Sequence, residues 1–121
     1  MEIADLLRAE GVFASLKSSS KKQVLQDLSQ RAAELTGIDE RTIFETLLER
    51  ERLGTTGVGN GVAIPHGRLA GLERVQGLFA RLERPIDFDA VDAQPVDLIF
   101  LLLAPESAGA DHLKALARVS R

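Results

Sequence analysis

The sequence predicts an α/β fold, a mixed central β-sheet flanked by helices on both faces. Three observations carry that expectation. Residues 20–35 and 39–52 place apolar side chains at helical spacing between recognisable caps. The run Leu98-Ile99-Phe100-Leu101-Leu102-Leu103-Ala104 is apolar without alternation, as expected of a strand covered on both sides. Helical and extended segments also interleave along the chain, which suits a sheet sandwiched between helices.

A length of 121 residues suits one domain spanning 1–121. With 45% apolar and 27% charged residues the chain reads as globular rather than disordered. It has no cysteine, so neither a disulfide framework nor a thiolate metal site can form. The start, Met1-Glu2-Ile3-Ala4-Asp5, is acidic where a secretion leader would be basic. The longest apolar run, 98–104, is too short to span a bilayer, so a cytoplasmic protein with no membrane insertion is expected. Fifteen basic and eighteen acidic residues are well mixed, and there is no Trp or Tyr, so nucleic acid is not an expected partner.

Taken in order, residues 2–9 read as a short helix with Ile3, Leu6 and Leu7 on one face, ended by Gly11. Residues 12–16 read as a short strand. Ser20 and Gln23 fit a capping box, opening a helix through Leu35 with Val24, Leu25, Leu28, Ala32 and Leu35 inward and Gly37 as its stop. Asp39 caps a further helix to about Arg52, with Ile43, Phe44, Leu47 and Leu48 inward. Its last turn carries Glu49, Arg50, Glu51 and Arg52. Both arginines suit the negative end of the helix dipole; alternatively, one of them leans over the following loop towards an anion.

That loop is the stretch the chain is organised around. Residues 53–68 hold five of the ten glycines and one of the two histidines. Glycines 54, 57, 59 and 61 permit positive φ and expose backbone N–H groups. Val62-Ala63-Ile64 reads as a strand stopped by Pro65, which places His66 just beyond a strand end on a stiff mount. A glycine-rich hairpin needs no function by itself, and a lone histidine is more often ordinary surface than chemistry. Residues 75–82 then read as a strand. Residues 85–92 alternate, with Ile86, Phe88 and Ala90 inward and acids between; those acids read as a solvated face rather than metal ligands. Pro105 closes the central strand. A last helix begins near Ala110 or Asp111, with Leu113, Leu116, Ala117 and Val119 buried and His112 in its first turn, where free N–H groups favour an anion.

The motif Arg50-Glu51-Arg52-Leu53-Gly54-Thr55-Thr56-Gly57-Val58-Gly59-Asn60-Gly61-Val62-Ala63-Ile64-Pro65-His66-Gly67-Arg68 resembles the enzyme IIA family of the phosphoenolpyruvate-dependent phosphotransferase system, mannitol/fructose type, nitrogen-regulatory branch. Gln94-Pro95-Val96-Asp97 and Asp111-His112-Leu113 extend the resemblance over nearly the whole chain. It implies that His66 is the phosphorylated residue, that Arg50 stabilises the phosphate and that His112 assists. The N–H groups of Gly57, Gly59, Asn60 and Gly61 would share the load. It implies a histidine-containing phosphocarrier protein as donor, with regulatory targets or, in the sugar branch, an enzyme IIB downstream. Neither metal nor cofactor is implied. Family domains usually run further, adding a last helical segment; its absence here reads either as C-terminal truncation or as a short member of the family, and would invite a homodimer.

The chemistry is coherent: a neutral imidazole is a competent nucleophile near pH 7, and phosphoryl transfer needs mainly positioning and charge stabilisation. Two other classes fit less well. A metal hydrolase built on His66, His112 and a carboxylate lacks the usual ligand spacing. A nucleotide switch lacks the Gly-Lys-Ser/Thr ending, and its loop runs from helix to strand, the reverse of the phosphate-binding order.

Overall fold

The computed structural model describes residues 7–106, with side chains from residue 15 onward. Among them, strand β1 (Leu7–Leu16) precedes helices α1 (Lys21–Thr36) and α2 (Glu40–Arg52). Strands β2 (Gly57–Gly59), β3 (Val62–Ala63), β4 (His66–Leu69), β5 (Gln76–Ile86) and β6 (Val96–Pro105) follow. The sheet runs β1-β5-β6-β3-β2, with β4 also on β6. It is mixed: β5 is antiparallel to β6, whereas β1 on β5 and both β3 and β4 on β6 are parallel.

The helices form for the reasons their sequences give. Ser20 accepts from the Gln23 N–H at 3.2 Å, while Gln23 Oε1 reaches back to Ser19 rather than to Ser20. At the far end Gly37 takes φ 75° and donates its N–H to Ala33 O, a left-handed stop that costs glycine nothing. Asp39 caps α2 through the Thr42 N–H at 3.0 Å. Val24, Leu25, Leu28, Ala32, Ile43 and Leu47 pack against the sheet's Leu78, Ile99, Leu101 and Leu103, all essentially without exposure. Each of the Val, Leu and Ile side chains among them contributes roughly 1.5–3 kcal/mol by leaving water.

The central strand β6 alternates between two apolar clusters. Ile99, Leu101 and Leu103 face the helices; Phe100 and Leu102 join Ile64 on the other face, with Val62, Val75 and Phe79 against them. Among the described residues both helices therefore lie on one face. The helix expected near 110–119 on the other face falls outside the described residues.

Three expectations are corrected. Residues 7–9 of the expected first helix belong to β1, and Gly11 lies inside that strand, not at a helix end. Pairing with β5 outweighs the local helical pattern. The strand Val62–Ala63 does end before Pro65, but His66 is not left beyond the sheet: Ala63 faces Ile99 and His66 faces Leu102, three residues on in both strands, so β4 resumes β3's register. Proline lacks a donor but keeps its acceptor, and Pro65 O takes the Leu102 N–H at 3.0 Å. Ile86, Phe88 and Ala90 are buried as their alternation requires, yet the strand stops at Ile86. Asp89 at φ 55° breaks it, and Asp87 and Asp92 cap local turns through the N–H groups of Asp89 and Gln94.

Helix α2 approaches β4 closely because residue 67 has no side chain. A Cβ on Gly67 would lie 2.8 Å from the Thr46 methyl. Gly67→Ala is expected to destabilise the chain by about 1–3 kcal/mol in urea unfolding, as overpacking does. Adding Thr46→Ser, which deletes that methyl but keeps the hydroxyl bond to Thr42 O, should recover most of the loss. No recovery would mean the contact is not what limits the approach.

Candidate functional site

Where α2 ends and β4 begins, two side chains meet. Arg50, in the last turn of α2, points its guanidinium back across the chain. Its Nη1 donates to Gly54 O at 2.8 Å and its Nε donates to His66 Nε2 at 3.1 Å. A guanidinium can only donate, so His66 Nε2 must accept with its lone pair. The ring proton then resides on Nδ1, which donates to Ile64 O at 3.0 Å. Pro65 sits between that carbonyl and the ring, so the acceptor and the imidazole share a stiff segment.

His66 is half-buried, and burial pushes its pKa below the usual 6.5; the Arg50 charge adds to that depression. The bond to Ile64 and the Glu51 carboxylate act in the opposite direction without reversing it. The product is a neutral imidazole at pH 7 whose nucleophilic nitrogen is Nε2, beside a permanent cation with its planar fork turned towards it. Such an arrangement has the chemistry to attack an electrophile, with a cation beside it suited to negative oxygens.

Of the two arginines in that turn, Arg50 is the one aimed at the site, whereas Arg52 is exposed and pairs with Glu49 on the surface. Both satisfy the helix dipole, so their local sequence does not distinguish them. The glycines have other work. Gly57–Gly59 and Val62–Ala63 form a hairpin turned by Asn60 (φ 57°) and Gly61 (φ 78°), the pair a type I′ turn demands. Its tip is held by acids: Asp92 Oδ2 accepts the Asn60 N–H at 3.0 Å, and a Cβ on Gly61 would meet the Asp97 carboxylate at 3.2 Å. With a carboxylate already on the Asn60 N–H, the tip is a poor cradle for phosphate. His112 lies outside the described residues. Among those residues no group of three or more His, Cys, Asp or Glu side chains could hold a metal ion.

Sequence reasoning passed over Glu51, next to Arg50. Its side chain is 5% exposed, pairs with Lys21 at 2.8 Å and accepts from Thr56.

Comparison with known proteins decides the family. The family described as the phosphoenolpyruvate-dependent sugar phosphotransferase system, EIIA 2, matches residues 5–121. The chain belongs to this EIIA 2 family. It is 66% identical over 121 residues to a nitrogen regulatory protein of Bradyrhizobium diazoefficiens, covering all of this chain and 79% of that protein. It is 38% identical over 121 residues to a fructose-specific EIIA component of Haloferax volcanii, covering 99% of this chain and 79% of that one. The crystal structure of nitrogen regulatory protein IIA-Ntr from Neisseria meningitidis superposes with a TM-score of 0.92 at 39% identity, covering 98% of this chain and 81% of that one. The mixed sheet of this EIIA 2 chain is thus the fold of its family. No helix among its described residues is long and apolar enough to cross a membrane.

The electrostatics of the EIIA 2 site are testable by titration. The His66 ring should titrate below 6.5 by NMR, and Arg50→Ala should move the midpoint up, since it removes a depressing charge and admits water. Because the folded value is lowered, the unfolded chain takes up its proton first as pH falls. Stability should therefore rise with pH across the window from the folded midpoint up to about 6.5 and be flat above it, as far as this group contributes. An unchanged midpoint in Arg50→Ala would separate the guanidinium from the ring's electrostatics.

Proposed function

We propose that the chain is a phosphohistidine carrier of the phosphotransferase system, acting in the cytoplasm. His66 Nε2 attacks the phosphorus of a phosphohistidine on a small histidine-containing phosphocarrier protein. The new N–P bond forms as the donor's N–P bond breaks, and the donor imidazole leaves with the electron pair. His66 keeps its Nδ1 proton, so the phosphorylated ring carries a positive charge that the Ile64 carbonyl stabilises. Arg50 turns its donors from the ring nitrogen to the phosphoryl oxygens. His112 assists the transfer onwards. Gly57, Gly59, Asn60 and Gly61 shape the hairpin in this reading, with the Gly57 and Asn60 N–H groups already engaged by Thr55 and Asp92.

The observation that carries the reading is the 3.1 Å bond from Arg50 Nε to His66 Nε2, with Nδ1 committed to Ile64 O. It places the lone pair and an oxyanion-binding cation at one point. The likeness to a nitrogen regulatory protein at 66% identity supports a regulatory output, in which partners respond to the phosphorylation state of His66. The likeness to a fructose-specific EIIA component at 38% supports a second output, transfer to an enzyme IIB of a sugar system. A purified IIB that strips the phosphate would favour the second output.

Incubation with phosphoenolpyruvate and the upstream phosphocarrier enzymes should load phosphate that is labile in acid and stable in base. His66→Ala should take none. Arg50→Ala should load about 10²–10³-fold more slowly, the usual loss for one donor to a developing anion. His112→Ala should load but pass phosphate on poorly. Full loading of the His66→Ala chain would sink the proposal.

A further inference from the structure

Glu51 and Lys21 each stand at the wrong end of a helix. Lys21 is the first residue of α1, where the dipole is positive, and Glu51 is the last but one of α2, where it is negative. Neither placement helps its own helix, and both charges are removed from bulk water: Lys21 is 22% exposed and Glu51 5%. A buried charge of this kind is retained only if its surroundings satisfy it. They do. Lys21 Nζ lies 2.8 Å from Glu51 Oε2 and 4.9 Å from the centre of the Phe88 ring, with Asp89 at 3.6 Å on its outer side. Glu51 receives the Thr56 N–H on both oxygens at 3.2 Å and the Thr56 hydroxyl on Oε1.

From Thr56 the bonds continue to the site. Thr56 O accepts the Ile64 N–H at 2.9 Å, and Ile64 O accepts the His66 Nδ1–H at 3.0 Å. The last turn of α2 therefore grips the imidazole twice. Arg50 holds Nε2 directly, and Glu51 holds Nδ1 through Thr56 and Ile64. We infer that Glu51, neutralised by Lys21, is a positioning residue. By fixing Thr56 it fixes the Ile64 carbonyl, and so acts with Arg50 to hold the Nδ1–H tautomer that leaves Nε2 as the attacking atom. A backbone carbonyl that drifted would free the ring to rotate or to exchange its proton between nitrogens. Rings in the other tautomer would then present the wrong atom. The inference rests on the reading of His66 as phosphoryl acceptor for its consequence, but not for its first readout.

That readout is the tautomer of His66 in the unphosphorylated full chain, taken from its two ring ¹⁵N shifts above the ring's pKa. The parent chain should show one tautomer, Nδ1–H. Glu51→Ala should show a mixture and load phosphate more slowly, on the order of tenfold, as loss of a ring-orienting partner does elsewhere. Glu51→Gln, whose carbonyl oxygen can still accept from Thr56, should restore the single tautomer and most of the rate. A single Nδ1–H tautomer in a folded Glu51→Ala chain would overturn the inference, as would a Glu51→Gln chain indistinguishable from Glu51→Ala. If Glu51→Ala does not fold, Thr56→Val removes the hydroxyl arm alone. It should give a partial mixture with faster exchange of the Ile64 amide, and an unchanged ring there overturns the inference equally. If instead the parent chain takes no phosphate while its tautomer still depends on Glu51, the carrier reading fails and the positioning role stands.

Discussion

One hydrogen bond organises the rest: a guanidinium at the end of α2 donating to the imidazole that opens β4. For that bond to exist, a helix terminus must sit against a strand start, and the chain between them must return to the same place. The glycine-rich segment does this by folding into a hairpin rather than wandering as a loop. Asn60 and Gly61 supply the turn, Ile64 N–H bonds to Thr56 O, and Gly61 O accepts from Asp97 and Leu98 at the far end. Gly57 lies against Ala90, where a Cβ would come within 2.9 Å of backbone. The glycines serve the site through close packing, and the N–H groups of Gly54 and Gly57 bond to Glu51 O and the Thr55 hydroxyl.

The same bond bears on how a half-buried histidine is kept neutral. Half-burial penalises the imidazolium, and the adjacent guanidinium penalises it further. Both act in the same direction, against the bond to Ile64 O and the Glu51 carboxylate, and the net shift favours the neutral ring. The cation itself remains solvated enough to be tolerated, because it ends a helix whose carbonyls face it and donates to Gly54 O. A lone pair and a permanent cation thus meet in one contact.

Much of this was legible in the sequence, and the failures share a cause. Caps and periodicity located α1 and α2 because a helix is specified by residues within a few positions of one another. The unbroken apolar run located β6, since burial on both faces leaves a mark in composition. Strand β1 was misread over residues 7–9 because its identity comes from pairing with Gly77, Phe79 and Ala80, far along the chain. The return to the sheet at His66 is not legible locally, because Pro65's missing donor is conspicuous and its retained acceptor is not. His66 and Arg50 were found through the motif and the family resemblance, but periodicity could not choose between Arg50 and Arg52. Glu51 was missed for the same reason that β1 was: its partner, Lys21, sits on another helix. A signal was nonetheless present, an acid in the last turn of one helix and a base in the first turn of another, each opposed to its dipole.

A carrier must accept a phosphoryl group and still give it away, and the acceptor on Nδ1 bears on that balance. In the proposed reaction the phosphorylated ring is an imidazolium, and whatever Nδ1–H donates to sets how well that charge is tolerated. A carboxylate there would make a charge-assisted bond roughly twice as strong as a neutral one and would stabilise the loaded state. The molecule has a carboxylate close by in Glu51, near enough to raise the ring's proton affinity, yet it spends that carboxylate on Thr56 and Lys21 and presents the ring with a backbone carbonyl instead. Orientation is thereby kept while the electrostatic hold is weakened. Arg50 supplies the opposite bias, since its donors gain more from phosphoryl oxygens than from a neutral nitrogen. A loaded state held by the cation and only lightly stabilised through the ring remains one that a partner can unload.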